Sequence, residues 1–210
     1  MYKEKIVIKV GTNVMTNKDN RIVRPVLREL IRQIAELHER DIMTILVSSG
    51  SVIAGKEVLG MSKIKDKTQK RQVYSAIGQP RMMRLYYNIF HDFGMKCAQV
   101  LPTKRDFSPG VHRQNMINCC EGLLSEGVIP IANEDDAVSL TMSMFSDNDE
   151  LASLIAQLLD VDKLIILTDI DGLYTGDPEE DSSDLIKNVN PNEDLNKYIK
   201  AKYMTKNGIY

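Results

Sequence analysis

The sequence has no tryptophan, only 6% aromatic residues and three cysteines. Cys97, Cys119 and Cys120 are odd in number and lack C-x-x-C spacing, which argues against a disulfide framework or a cysteine zinc site. Buried thiols in a reducing compartment are the expectation. His38, His91 and His112 are isolated from one another and from the cysteines, so no metal ligands are expected among them. A dominant charge sign is also missing: 27 Lys and Arg face 29 Asp and Glu, for a net charge of −2. Without a basic stripe interleaved with aromatics, nucleic acid is not the expected partner, and the Lys-rich stretch from Lys63 to Arg71 reads as a solvated loop. No apolar run reaches the ~20 residues of a membrane-spanning helix. No secretory apolar segment follows Met1-Tyr2-Lys3-Glu4-Lys5. A cytoplasmic protein with no membrane partner is expected.

What is present is a chain of 210 residues, 43% of them hydrophobic, enough for one domain with a self-sufficient core. Five short apolar runs read as strands: Ile6–Val10, Ile42–Val47, Cys97–Leu101, Val128–Ala132 and Leu164–Thr168. They are largely apolar rather than alternating, as strands covered on both faces are. Helical patterns separate them. Val26, Leu30, Ile34 and Leu37 share one stripe. Gln69 to Phe93 reads as one long helix, or two broken near Gly78 and Pro80. Met116–Leu124 and Asp149–Leu159 are further helices, the latter with Asp147 and Asn148 as candidate caps. Strand alternating with helix predicts a mostly parallel sheet between helical layers, with ligands at the carboxyl ends of the strands.

Those ends carry the candidate chemistry. Lys9-Val10-Gly11-Thr12 follows the first strand, where an ammonium and a close backbone suit a phosphate. Ser48-Ser49-Gly50-Ser51 follows the second and enters a helix, where free N–H groups favour anions. Gly50 to Lys56 also has the G-x-x-x-x-G-K spacing of a P-loop, but Glu57 stands where that motif needs Ser or Thr for Mg²⁺. Asn133-Glu134-Asp135-Asp136 and Ser146-Asp147-Asn148-Asp149 are dense in carboxylates, able to hold an amine or orient a lysine; capping and solvated loop charge are the simpler roles. Thr168-Asp169-Ile170-Asp171-Gly172 looks like a phosphatase D-x-D-G motif, but too little chain follows it for the rest of such a domain.

Seven segments, in order and sensibly spaced, resemble the amino acid kinase family. They are Lys9-Val10-Gly11-Thr12; Val47-Ser48-Ser49-Gly50 with Ala54-Gly55; Gly78-Gln79 with Met83; Ala98-Gln99-Val100-Leu101; Pro130 to Val138; Phe145 to Asp149; and Leu167-Thr168-Asp169 with Gly172-Leu173-Tyr174 and Asp177-Pro178. The N-E-x-D-x-V and D-N-D pieces are similar to those of members that phosphorylate glutamate, rather than aspartate, acetylglutamate, carbamate or nucleotides. The resemblance implies a three-layer αβα sandwich and ATP-dependent phosphorylation, with Mg²⁺, of the γ-carboxylate of L-glutamate to L-glutamyl 5-phosphate, the first step of proline biosynthesis. It also implies feedback inhibition by L-proline and a homo-oligomer, dimer or tetramer. By resemblance Lys9 contacts the phosphoryl oxygens, Gly11 lets the backbone approach them, and Asp149 orients lysine side chains. Ser49, Gly50, Asn133, Asp136 and Asn148 hold glutamate. Thr168, Asp169, Gly172, Tyr174 and Asp177 line the nucleotide side.

The sequence departs from the family pattern at Asn13, Asp135, Met144 and Ser146. The family's second glycine-rich loop, G-x-G-G-M-x-T-K, is not found. The chain therefore reads as a single kinase domain over residues 1–210 that lacks a loop near 196–200 and the carboxyl-terminal end. A non-catalytic glutamate- or proline-binding module, and a related kinase acting on another small carboxylate or phosphate acceptor, remain the alternatives.

Overall fold

The computed structural model describes residues 2–133, 148–176, 180 and 182–190. Its contacts divide the chain into two compact units, Met1–Leu167 and Thr168–Tyr210.

The first unit is built on a five-stranded, all-parallel sheet. The strands are β1 (Glu4–Val10), β2 (Ile42–Ser48), β3 (Lys96–Val100), β4 (Val128–Ala132) and β5 (Lys163–Leu167), in the order β3-β4-β2-β1-β5. Each expected strand is present, displaced by at most two residues. The helices are α1 (Thr12–Met15), α2 (Arg24–Glu39), α3 (Ser51–Leu59), α4 (Lys67–Asp92), α5 (Val111–Ser125) and α6 (Asn148–Leu158). Alternation along the strands sorts two apolar layers. Ile6, Ile8 and Val10 of β1 pack with residues of α2 and α4, while Val7 packs with residues of α5 and α6. Only the central strands are covered on both faces. On the edge strand β5, Ile165 and Ile166 are exposed, against the expectation that every apolar run is doubly covered.

Three helices differ from their sequence reading: α5 starts at Val111, five residues before the expected Met116, α2 differs in its buried face and α4 in its continuity. The buried stripe of α2 is Leu27, Ile31 and Ile34, with Leu30 and Leu37 partly covered; Val26 faces solvent. The stripe starts one residue later than expected because Leu27, Ile31 and Ile34 are the face that packs on Ile6, Ile8 and Val10 of β1. α4 does not break. It runs 26 residues through Pro80, although an interior proline forfeits a backbone bond and costs about 3 kcal/mol. Contact with α3 offsets that cost. A Cβ on Gly78 would lie 1.6 Å from the Ser51 carbonyl oxygen, and one on Gly55 would lie 1.8 Å from that of Tyr74. The two helices touch backbone to backbone, and Ser51 and Ser75 hydroxyls pair at 3.2 Å in the seam. Glu57 closes its far end by accepting from the Ile22 N–H and from Arg81.

Of the cysteines, Cys120 is buried and Cys97 half-buried, but Cys119 is exposed on α5, which corrects the expectation of three buried thiols. All three are free. Burial pushes the Cys97 thiol up to about 11 and that of Cys120 up to about 12. Among the described residues no helix is long and apolar enough to cross a membrane.

In the second unit, β6 (Leu173–Tyr174) and β7 (Leu185–Ile186) form an antiparallel ribbon, extended by Thr175 and Asp184, which bond through backbone and the Thr175 hydroxyl.

Candidate active site

Parallel strands place all five carboxyl ends on one rim of the sheet, and the side chains there are sorted by strand alternation. Lys9 shares its face with Lys5 and Val7, the face covered by α5 and α6. Lys5 reaches Glu121 of α5 and the Leu159 carbonyl. Lys9, two pleat repeats further on, reaches Asp149 in the first turn of α6, with Nζ 2.7 Å from Oδ1. Lys9 is 9% exposed, and a buried ammonium needs such a partner. The Asp149 side chain is 46% exposed, so solvent screens the pair from one side. The approach is an ion pair by distance rather than an aligned hydrogen bond. The ammonium's hydrogens are thus not all committed to this carboxylate.

Beside this pair lies a polar group drawn from two strand ends and the start of α6. Asn148 Nδ2 is 2.6 Å from Ser49 Oγ, 3.2 Å from the Ser48 carbonyl and 3.3 Å from Asn133 Oδ1. One amide therefore ties the end of β2 to the residue after β4. Asn133 is itself buried and bonds through its N–H to the Val100 carbonyl of β3. Asn148 Oδ1 is buried and has no hydrogen-bond partner among the described residues. A buried acceptor without a donor costs about 1–3 kcal/mol, and an ammonium ligand would satisfy it. Gly50 takes φ of +94° at the turn into α3, a conformation that favours glycine.

Gly11 approaches closely: a Cβ there would sit 3.2 Å from the Leu167 carbonyl and 3.6 Å from Lys9 Nζ. Its N–H donates to the Leu167 carbonyl at 3.0 Å, so that donor is already used. Lys9, Gly11, Ser49, Gly50, Asn133, Asn148 and Asp149 are thereby brought to one rim. Asp136 and Asp177 lie outside the described residues, as do Asp135, Met144, Ser146, the cap candidate Asp147 and the stretch 196–200. In the second unit Thr168 and Asp169 are exposed, with their side chains 3.4 Å apart. Tyr174 OH is 3.5 Å from Asp171 Oδ2. Gly172 has φ of +149°, and a Cβ there would lie 3.2 Å from the Leu185 side chain. The P-loop spacing has no structural meaning: Gly55 and Lys56 lie inside α3, and Lys56 sits over the Tyr74 ring.

The amino acid kinase family matches residues 4–210. The chain belongs to the amino acid kinase family. Within that family it is 41% identical over 197 residues to a glutamate 5-kinase of Bacteroides thetaiotaomicron, a match covering 94% of this chain and 55% of the relative. It is also 41% identical over 197 residues to a glutamate 5-kinase of Chlorobaculum tepidum, covering 93% and 54%. The chain spans about half the length of the curated relatives it matches. A T. acidophilum isopentenyl phosphate kinase, solved as a product complex, superposes with a TM-score of 0.60 over 87% of this chain and 78% of its own, at 16% identity. That likeness shows the fold alone: the three-layer, mostly parallel amino acid kinase sandwich.

Sequence reasoning missed two groups at this amino acid kinase rim. Lys104, after β3, pairs with Glu150 at 3.4 Å. Tyr86 of α4, completely buried, places its hydroxyl 2.8 Å from Ser48 Oγ. A signal for Tyr86 exists in the chain: it is the one hydroxyl in the stripe Met82, Leu85, Tyr86, Ile89, Phe90, and a buried phenol needs a partner.

Proposed function

We propose that this chain carries the acceptor-binding and phosphoryl-contacting part of an ATP-dependent kinase that converts L-glutamate to L-glutamyl 5-phosphate, the entry to proline biosynthesis. The observation that supports it most is the adjacency of the Lys9–Asp149 pair to the Ser49–Asn148–Asn133 group, with Asn148 Oδ1 left open for an ammonium. The match to glutamate 5-kinases supports the choice of acceptor.

The chemistry asked of these residues is electrostatic. A γ-carboxylate is ionised at neutral pH, so no base is needed. Its oxygen attacks the γ-phosphorus of ATP, the bond from that phosphorus to the β–γ bridging oxygen breaks, and ADP leaves with the electron pair. The barrier is the approach of two anions and the charge gathered on the transferring group. The Lys9 ammonium, held at the rim by Asp149, offsets that charge; one preorganised contact of this kind contributes about 3–4 kcal/mol. Ser49, Gly50, Asn133 and Asn148 orient the acceptor, with Asp136 in the same role at its amine. Thr168, Asp169, Gly172, Tyr174 and Asp177 serve the nucleotide. The rim carboxylates Asp149 and Glu150 each face a lysine, so they fit a Mg²⁺ ion that is held by the nucleotide phosphates better than one held by the protein. That ion supplies further neutralisation of phosphate charge. L-proline inhibition and assembly as a dimer or tetramer belong to the same reading.

The test is ADP release by the purified protein with ATP, Mg²⁺ and a panel of acceptors. Turnover that needs L-glutamate is expected, and turnover of aspartate or a nucleotide in its place overturns the assignment. Proline titration and light scattering check the two remaining traits.

A further inference from the structure

We propose that Tyr86 is a positioning residue for the acceptor turn: acting through Ser48, its phenol holds the Ser49–Gly50 peptide so that the Gly50 N–H faces the rim. The proposal rests on the acceptor reading of the rim given above.

Alternation sends Lys9 and Ser48 to opposite faces of the sheet. Ser48 pairs in register with Val10, whose side chain belongs to the α2–α4 layer, and Tyr86 approaches from that layer. Three contacts then form a chain. Ser48 Oγ bonds to the Ser49 carbonyl at 3.1 Å. Tyr86 OH lies 2.8 Å from Ser48 Oγ. The same phenol lies 3.4 Å from Met15 Sδ.

Counting protons decides its direction. Ser48 has one hydrogen and gives it to the Ser49 carbonyl, so the short contact to Tyr86 must be donated by the phenol. In the other arrangement the phenol gives its hydrogen to the Met15 sulfur, Ser48 turns to Tyr86, and the Ser49 carbonyl loses its donor. Sulfur is the weaker acceptor, so the first arrangement wins. Burial pushes the Tyr86 hydroxyl above its ordinary range, which keeps the donor protonated at any pH where the protein works.

The consequence lies on the other side of the peptide. In a planar trans peptide the carbonyl and the N–H point in opposite directions. Drawing the Ser49 oxygen toward Ser48 and α4 turns the Gly50 N–H away from them. The Gly50 N–H has no hydrogen-bond partner among the described residues. The Met15 and Met82 methyl groups, 3.4 and 3.8 Å from where a Gly50 Cβ would be, brace the turn from behind. The Ser48 carbonyl and the Ser49 hydroxyl, both bonded to Asn148, flank that same peptide. Tyr86 never touches the ligand.

Tyr86→Phe removes one oxygen and keeps the packing. In the full chain the KM for the acceptor is expected to rise about tenfold, while the KM for ATP and kcat each change less than about threefold. Ser48→Ala should do the same, and the double variant should be no worse than the more damaged single, because both act through one chain of bonds. Backbone amide exchange at Gly50 and Ser51 should quicken in Tyr86→Phe while exchange in β1 and β2 holds. An unchanged acceptor KM, equal rises for both substrates, or effects that multiply in the double variant overturn the proposal. If the wild-type chain uses another acceptor, the glutamate reading fails and the same comparison runs with that acceptor. If it turns nothing over, amide exchange at Gly50 decides alone: faster exchange in Tyr86→Phe supports the proposal, and no difference ends it.

Discussion

The carboxyl rim of the sheet and the α3–α4 seam behind it both depend on glycine and on buried hydroxyls, and use them to opposite ends. At the rim, Gly50 is needed for its backbone angle, and polar groups are left with bonding capacity to spare: the acceptor Asn148 Oδ1 has no partner among the described residues, and Lys9 meets its carboxylate off the hydrogen-bonding direction. In the seam, Gly55 and Gly78 are helical and are needed for the volume they do not fill, and the Ser51 and Ser75 hydroxyls satisfy each other. Unsatisfied groups cost stability and fit a ligand; satisfied ones specify packing. The contrast predicts that damage to the seam unfolds the protein, whereas damage to the rim leaves a folded, inactive one.

The largest effect should come from Gly78→Ala. Alanine is favoured over glycine in a helix by about 1 kcal/mol, but a Cβ 1.6 Å from the Ser51 carbonyl forces the helices apart. A net loss of roughly 4 kcal/mol or more is expected, seen as a Tm lowered by roughly 10 °C in thermal circular dichroism. A variant that melts like wild type would show that the seam is not closed in solution.

Lys9→Met should come next, and on the other side of the comparison. Methionine fills the same space without charge, so the melting temperature should hold while kcat/KM falls roughly 10²–10³-fold. Steady-state kinetics and a melt on the same sample separate the two outcomes; a large loss of stability with intact activity would reverse the roles assigned to rim and seam. Asn148→Ala should raise the acceptor KM by about tenfold and leave the ATP KM unchanged, because Asn148 joins three groups of the proposed acceptor site and, among the described residues, none of those proposed for the nucleotide. Equal effects on both substrates would place Asn148 in the fold rather than in the site.

The smallest effect is chemical. At pH 8 a soluble alkylating agent should modify exposed Cys119 first, with buried Cys120 and half-buried Cys97 protected, their thiols held up to about 12 and about 11 by burial. Because the folded thiols ionise later than the ordinary value near 9, the folded state retains protons that the unfolded state releases. Stability is therefore complete below about pH 9 and declines as pH rises through the folded values. Peptide mapping after alkylation, and melts between pH 8 and 11, check both statements.

By itself the sequence determined the strands, the parallel sheet and which polar segments stand at the strand ends, because these follow from local patterns: a run of Val and Ile, a helical repeat between runs, small and charged residues where a run stops. Val128–Ala132 is bounded in the structure as in the sequence. Resemblance carried the pairing of Lys9 with Asp149, which composition and spacing could not, since 140 residues of chain separate them. Tertiary structure alone decided the rest: that α4 continues through Pro80, that the α2 stripe starts at Leu27 instead of Val26, that β5 has exposed isoleucines, and that Tyr86 finds Ser48. Each depends on how closely two elements approach and which face each presents. A periodic pattern records that a side chain is buried, but not the distant atom that buries it.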